Sequence, residues 1–194
     1  MSHQSIVCVF NDASHYRENS YLKMENELNC DFYFGNVGDD KIKKTDYSLF
    51  KKEVFELKTI IVFKNITWIK NSVSLVFKPY KKYLLTGEYY SLSTWCILIL
   101  NRLLGKKTYL WTHGWYGNEN FIKKSIKKVY FGLANHLFLY GNYAKDLMLE
   151  NGFRNKKLHV IYNSLDYDTQ LAVRNKLIAT NIFSNYFSNH YPTI

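Results

Sequence analysis

The chain has 194 residues, of which 47% are apolar and 18% aromatic, and a formal net charge of +10. That length suits one domain with a real core and room for an appendage, and the apolar share is ordinary for a globular protein. The charge points to anionic partners: nucleic acid, nucleotide phosphates or an acidic membrane surface.

The opening MSHQSIVCVF carries neither a basic leader nor a long apolar run, so no signal peptide is expected. Ser5–Phe10 is a continuous apolar, β-branched run, as in a strand buried on both faces, and it stops at Asn11-Asp12. A helix of roughly 14 residues follows, with Tyr21, Met24 and Leu28 at helical spacing. Cys30–Phe34 is a second strand, closed by Gly35, and the polar section from Asn36 to Lys52 reads as loop. Val54–Leu57 and Ile60–Phe63 are two short β-prone runs, one of them a candidate central strand. Trp68, Ile69, Val73, Val76 and Phe77 then predict a helix that Pro79 ends.

Tyr83–Thr86 is a strand broken by Gly87-Glu88. Ser91 or Ser93 can cap the next helix and Gly105 can end it; it is apolar nearly all round, which predicts deep burial. Its most apolar run, Trp95–Leu100, is far too short to span a bilayer, so a soluble, cytoplasmic protein is expected. Thr108–Thr112 is a strand that runs into His113, Gly114 and Gly117. Phe121–Ala134 is amphipathic: Ile122, Ile126, Val129, Tyr130 and Leu133 share one face, and Lys123, Lys124, Lys127 and Lys128 the other. His136–Tyr140 is a strand ended by Gly141, and Asn142 can cap a short helix that stops at Gly152. Leu158–Tyr162 is the last strand, and the remainder reads as helical, then polar and aromatic.

Strands alternating with helices predict an α/β, Rossmann-like, doubly wound parallel sheet with helices on both faces. In such sheets ligands bind beyond the carboxyl ends of the strands. That edge gathers Asn11, Gly87-Glu88, His113-Gly114, Gly141-Asn142 and Asn163. Gly141 and Asn142 read as turn and cap, whereas for His113 and Glu88 a functional role and a plain strand end stay equally open. Cys8, Cys30 and Cys96 read as reduced core thiols. No Gly-x-Gly-x-x-Gly, P-loop or Gly-x-Ser-x-Gly motif is present, and the histidines show no metal spacing. His136 and His159 fall inside strands and read as structural. The four lysines of the amphipathic helix fit either a solvated face or a contact with anionic headgroups.

Taken in order, strand–WTHGWYG–basic helix–NHLFLYG–NYAKDLM–strand–IYNSLDYD resembles the N-terminal domain of retaining glycosyltransferases of GT-B architecture, family 4 or "group 1". The resemblance runs from Ser5 to Asp166 and rests on His113-Gly114 and the segment Ile161–Asp166. It implies a first Rossmann-like domain that binds the acceptor, facing a second that binds the nucleotide sugar. By that resemblance His113 is the catalytic contact in the interdomain cleft, and Gly114, Glu88, Tyr16 and Arg17 line the substrate pocket. Asn163 would lie near the hinge. No cofactor is implied beyond a nucleotide-diphosphate sugar as donor substrate. The implied partners are a saccharide or lipid-linked acceptor, an anionic membrane surface touched by Lys123, Lys124, Lys127 and Lys128, and a C-terminal donor-binding domain.

Two departures stand out. The first strand–helix loop, NDASHYREN, lacks the glycines that many relatives use to approach donor phosphates; Arg17 can supply charge there instead. The chain also ends at Ile194, about where a second domain would begin. The expectation is therefore an acceptor-side domain over 1–166 and a helical crossover over 167–194, inactive alone. The rival reading is a non-catalytic Rossmann-like module binding a polyanion such as nucleic acid. Lysines concentrated in one helix, with no recognisable nucleic-acid motif, count against it.

Overall fold

A computed structural model of the protein describes residues 6–38, 43–162, 167–177 and 181–188. Its strands are β1 (Ile6–Phe10), β2 (Asp31–Asn36), β3 (Phe55–Phe63), β4 (Ile66–Ile69), β5 (Lys82–Thr86), β6 (Lys107–Thr112), β7 (His136–Leu139) and β8 (Leu158–Val160). Its helices are α1 (Glu18–Leu28), α2 (Leu92–Leu103), α3 (Phe121–Leu133), α4 (Asn142–Glu150), α5 (Tyr167–Lys176) and α6 (Ile182–Phe187). The strands form one eight-stranded sheet in the order β4-β3-β2-β1-β5-β6-β7-β8. All neighbours pair in parallel except β3 and β4, which form an antiparallel hairpin at the edge. The fold is the expected α/β, Rossmann-like, doubly wound sheet.

Side-chain alternation along the central strands builds two cores. Val7, Val9, Tyr83, Leu85 and Leu110 face one way, where Ile97 and Leu98 of α2, Tyr130 and Phe131 of α3 and Met148 of α4 cover them. Cys8, Phe10, Phe32, Phe34, Leu84 and Trp111 face the other way, against Tyr21 of α1. Because both faces are covered, these strands carry continuous apolar runs instead of alternating ones. Each fully buried side chain of this size contributes about 1.5–3 kcal/mol of burial free energy. Cys8 and Cys30 are buried thiols and Cys96 is half-buried.

Five elements differ from expectation. The two short runs Val54–Leu57 and Ile60–Phe63 merge into β3, and β2 runs through Gly35 to Asn36. The helix expected around Trp68–Phe77 is instead β4, a turn and a 3-10 segment at Val73–Phe77. Lys64, at φ 48°, closes the tight β3–β4 turn, and pairing with Ile60 and Thr59 captures Trp68 and Ile69, the start of the apparent helix, as strand. The helix α2 is not buried all round, since Ile99 and Leu103 are exposed. Gly141, not Asn142, is the N-cap of α4.

Candidate functional site

The winding reverses between β1 and β5, which lie side by side and lead to opposite halves of the sheet. A crevice opens there, at the carboxyl ends of the strands, where open α/β sheets bind ligands. Asn11 follows β1 and Glu88 follows β5. The Asn11 side-chain amide donates to Glu88 Oε1 at 2.9 Å, its backbone N–H donates to Thr86 Oγ1 at 3.1 Å, and Thr86 donates back to Asn11 Oδ1 at 3.2 Å. Burial raises the pKa of the Glu88 carboxyl, against an opposing hydrogen bond from Tyr90. Gly87 is required by close approach, because a Cβ there would stand 2.5 Å from Thr112 Cβ. Thr112 Oγ1 donates to the Gly87 carbonyl at 2.8 Å, tying the end of β6 to the loop that carries Glu88.

Beyond β6 the chain turns at Gly114, whose φ of 72° and contact with Leu139 leave no room for a side chain. The His113 ring projects from this turn and lies 4.3 Å, centroid to centroid, from Tyr140. Burial lowers the His113 pKa, and the nearby positive charges of Arg17 and Lys127 lower it further. The imidazole is therefore held neutral near pH 7, able to donate or accept one hydrogen bond at each nitrogen. Behind the turn, Glu119 accepts from the backbone N–H groups of Tyr116 and Gly117 at 2.9 and 3.0 Å.

Lys127 corrects the reading of α3. It was expected on the solvent face, yet its side chain is 2% exposed and lies in the buried seam with Tyr130 and Phe131. Lys127 Nζ donates to Glu119 Oε1 at 2.5 Å and to the Gly114 carbonyl at 2.8 Å. The seam in contact with the sheet is thus the 127, 130, 131 and 134 set, and Ile122, Ile126 and Val129 point outward. Two buried acceptors in the loop select the cation, and helical spacing then turns the isoleucines to solvent. Lys124 and Lys128 are exposed and Lys123 is half-buried. The four lysines do not share one surface.

Arg17 enters from the 3-10 turn His15–Arg17 that precedes α1. Its guanidinium lies 4.8 Å from the Trp111 ring centroid, and Nη2 donates to the Tyr140 hydroxyl at 2.6 Å. Arg17, Glu88, His113, Gly114, Tyr16, Lys127 and Tyr140 all line one cleft of about 210 Å³. A second pocket of about 310 Å³ adjoins it, sharing Asn11, Asp12, Thr86, Glu88 and Tyr90 and extending to Gly35, Lys44, Thr59 and Thr67.

Five expected residues, His113, Gly114, Glu88, Tyr16 and Arg17, therefore converge on one cleft. Asn163 and the expected boundary at Asp166 lie outside the described residues. Sequence reasoning missed the Lys127–Glu119 pair and Tyr140. The spacing of Lys127 with Tyr130, Phe131 and Ala134 was the available signal for the first. His136 and His159, expected inside strands, lie on the adjacent strands β7 and β8 with Nδ1 and Nε2 3.0 Å apart. Among the described residues no group of His, Cys, Asp or Glu is placed to hold a metal ion, and no helix is long and apolar enough to cross a membrane.

No family model matches the chain, and no curated protein matches it by sequence. Solved structures do match its fold. A putative UDP-N-acetylglucosamine 2-epimerase from Listeria monocytogenes superposes with a TM-score of 0.61 at 12% identity, over 97% of this chain and 53% of that one. The UDP-GlcNAc 2-epimerase from Neisseria meningitidis, solved bound to UDP-GlcNAc, gives 0.57 at 12% identity over 88% and 50%. Anabaena HepE, solved with UDP and glucose, gives 0.52 at 12% identity over 88% and 50%. The chain spans about half the length of the solved proteins it matches. Its fold is that of one Rossmann-like half of the GT-B architecture.

Proposed function

We propose that this chain is the acceptor-side domain of a retaining glycosyltransferase, which moves a sugar from a nucleotide-diphosphate sugar to a saccharide or glycolipid acceptor. The observation that carries the reading is the convergence of His113, Arg17 and Glu88 on one cleft at the switch point of the sheet. UDP-GlcNAc, and UDP with glucose, in two proteins of the same fold support a nucleotide-sugar ligand. In this reading a neutral His113 hydrogen-bonds the sugar where positive charge develops, while Arg17 faces the departing diphosphate. Glu88 and Tyr16 bind acceptor hydroxyls. In this reading a second, donor-binding half completes the cleft, and sugar transfer requires both halves.

The outer face of α3, where Phe121, Ile122, Ile126 and Val129 lie exposed beside Lys124 and Lys128, supports peripheral contact with an anionic membrane from the cytoplasmic side. The test is sugar transfer by a chain that carries both halves, with His113→Ala beside the wild type. Loss of one preorganised catalytic contact is expected to cost about 10²–10³ in kcat. Full activity of His113→Ala, or full activity of residues 1–194 alone, overturns the assignment.

A further inference from the structure

At the opposite end of the sheet from the cleft lies a second recess, of about 750 Å³. It is built where chain segments enter strands: Arg102 ends α2, Lys128 comes from α3, His136 opens β7, and Arg154, Lys156 and Lys157 lead into β8. Five cations thus line one concavity, and no carboxylate lines it with them. None of the five belongs to an ion pair among the described residues. By contrast, the buried Lys127, one residue from Lys128, has its own carboxylate in Glu119.

The recess is held together by packing despite its charge. Lys157 Nζ donates to the Gly132 carbonyl at 3.3 Å, which fixes this cation on the recess wall. Burial lowers the Lys157 pKa, and Arg102 and Arg154 add to that, so the three cations act on one another. His136 also lines the recess, with its Nδ1 3.0 Å from His159 Nε2, and burial lowers its pKa. Five positive charges around one concavity with no counter-charge repel one another, and an oxyanion relieves that repulsion. Two guanidinium groups and three ammonium groups offer more N–H donors than one carboxylate can use, which suits the several oxygens of a phosphate. The volume exceeds that of one phosphate group and leaves space for a diphosphate or a glycerophosphate head.

We infer that this recess is a binding site for a phosphate-bearing anion, separate from the cleft that holds His113 and independent of sugar transfer. The phosphate arrives either free in solution or on a lipid headgroup.

The experiment uses the 194-residue chain and two probes, sodium pyrophosphate by isothermal titration and phosphatidylglycerol vesicles by sedimentation against phosphatidylcholine vesicles. The triple variant Arg102→Gln/Arg154→Gln/Lys156→Gln alters exposed side chains only, and Lys64→Gln/Lys70→Gln/Lys81→Gln removes the same charge elsewhere on the surface. Binding weakened at least about tenfold by the recess triple, and about twofold or less by the control, is the expected result. Pyrophosphate binding with this pattern identifies a soluble anion, and vesicle binding alone with this pattern identifies a lipid headgroup. Binding of neither probe by the wild type, or equal weakening by both triples, overturns the site. If the recess triple unfolds, Arg154→Gln alone is measured, and unchanged binding of both probes by that variant is equally fatal.

Discussion

Lys127 and Glu119, one on a helix and one in the loop before it, meet at 2.5 Å with side chains 2% and 0% exposed. The pair clamps the turn that carries His113 from both sides. Lys127 holds the Gly114 carbonyl, and Glu119 holds the amides of Tyr116 and Gly117. Burial alone would raise the Glu119 pKa, but the hydrogen bonds from Lys127 and the backbone outweigh it and hold the carboxyl below its ordinary range. A buried ion pair is weak evidence of net stabilisation, whereas an orphaned partner is costly.

Lys127→Met strands the Glu119 carboxylate and Glu119→Gln strands the Lys127 ammonium, so each is expected to cost about 3–5 kcal/mol of unfolding free energy. The double variant recovers part of that loss, and a urea-denaturation cycle measures it. Because the folded pKa of Glu119 is depressed, its contribution is present above the unfolded carboxylate pKa and is lost as pH falls through the folded value. Additive single losses show that the two groups act independently.

Gly114→Ala places a Cβ 2.9 Å from Leu139 Cδ2 and 3.2 Å from Met148 Sδ, at a φ of 72°. The expected destabilisation is about 1–3 kcal/mol, from backbone strain together with the clash. Thermal unfolding reads it, and an unchanged midpoint refutes the account of the turn.

His113 titrates below the ordinary histidine value of about 6.5. Burial is the main cause and Arg17 the next, so Arg17→Gln moves the His113 midpoint upward in an NMR titration of the ring. The sign for stability follows from linkage: a depressed histidine pKa opposes protonation in the folded state, so this contribution is lost as pH falls below the unfolded value. A midpoint that stays put in Arg17→Gln removes Arg17 from the electrostatics of the site.

Glu88 behaves in the opposite sense. Its folded pKa is raised, so its contribution is full below the unfolded carboxylate pKa and declines as pH rises through the folded value. Glu88→Gln is therefore expected to gain stability relative to the wild type on going from pH 4 to pH 7. Chemical denaturation at the two pH values gives the difference, and a gap that does not grow with pH contradicts a raised Glu88 pKa.

The sequence by itself determined the layered α/β fold, because strands buried on both faces must be apolar throughout. Runs such as Ser5–Phe10 and Thr108–Thr112 suit strands covered on both faces. It also placed His113 and Glu88 just past strand ends, which in a parallel sheet means one edge. It misled over Trp68–Phe77, where apolar residues fall at helical intervals but Trp68 and Ile69 pair with β3; periodicity records spacing, not partners.

What only the tertiary structure decided is which distant residues meet. Arg17, Glu88, His113 and Tyr140 come from four segments, and the strand order, with β5 inserted beside β1, brings them around one cleft. Lys127 reads as a surface lysine because a buried ammonium needs a partner, and nothing local names Glu119 as that partner. The loop folds back over α3, supplies a carboxylate and a carbonyl, and so turns the helix. Partnership across space, not residue type, set the face that α3 buries.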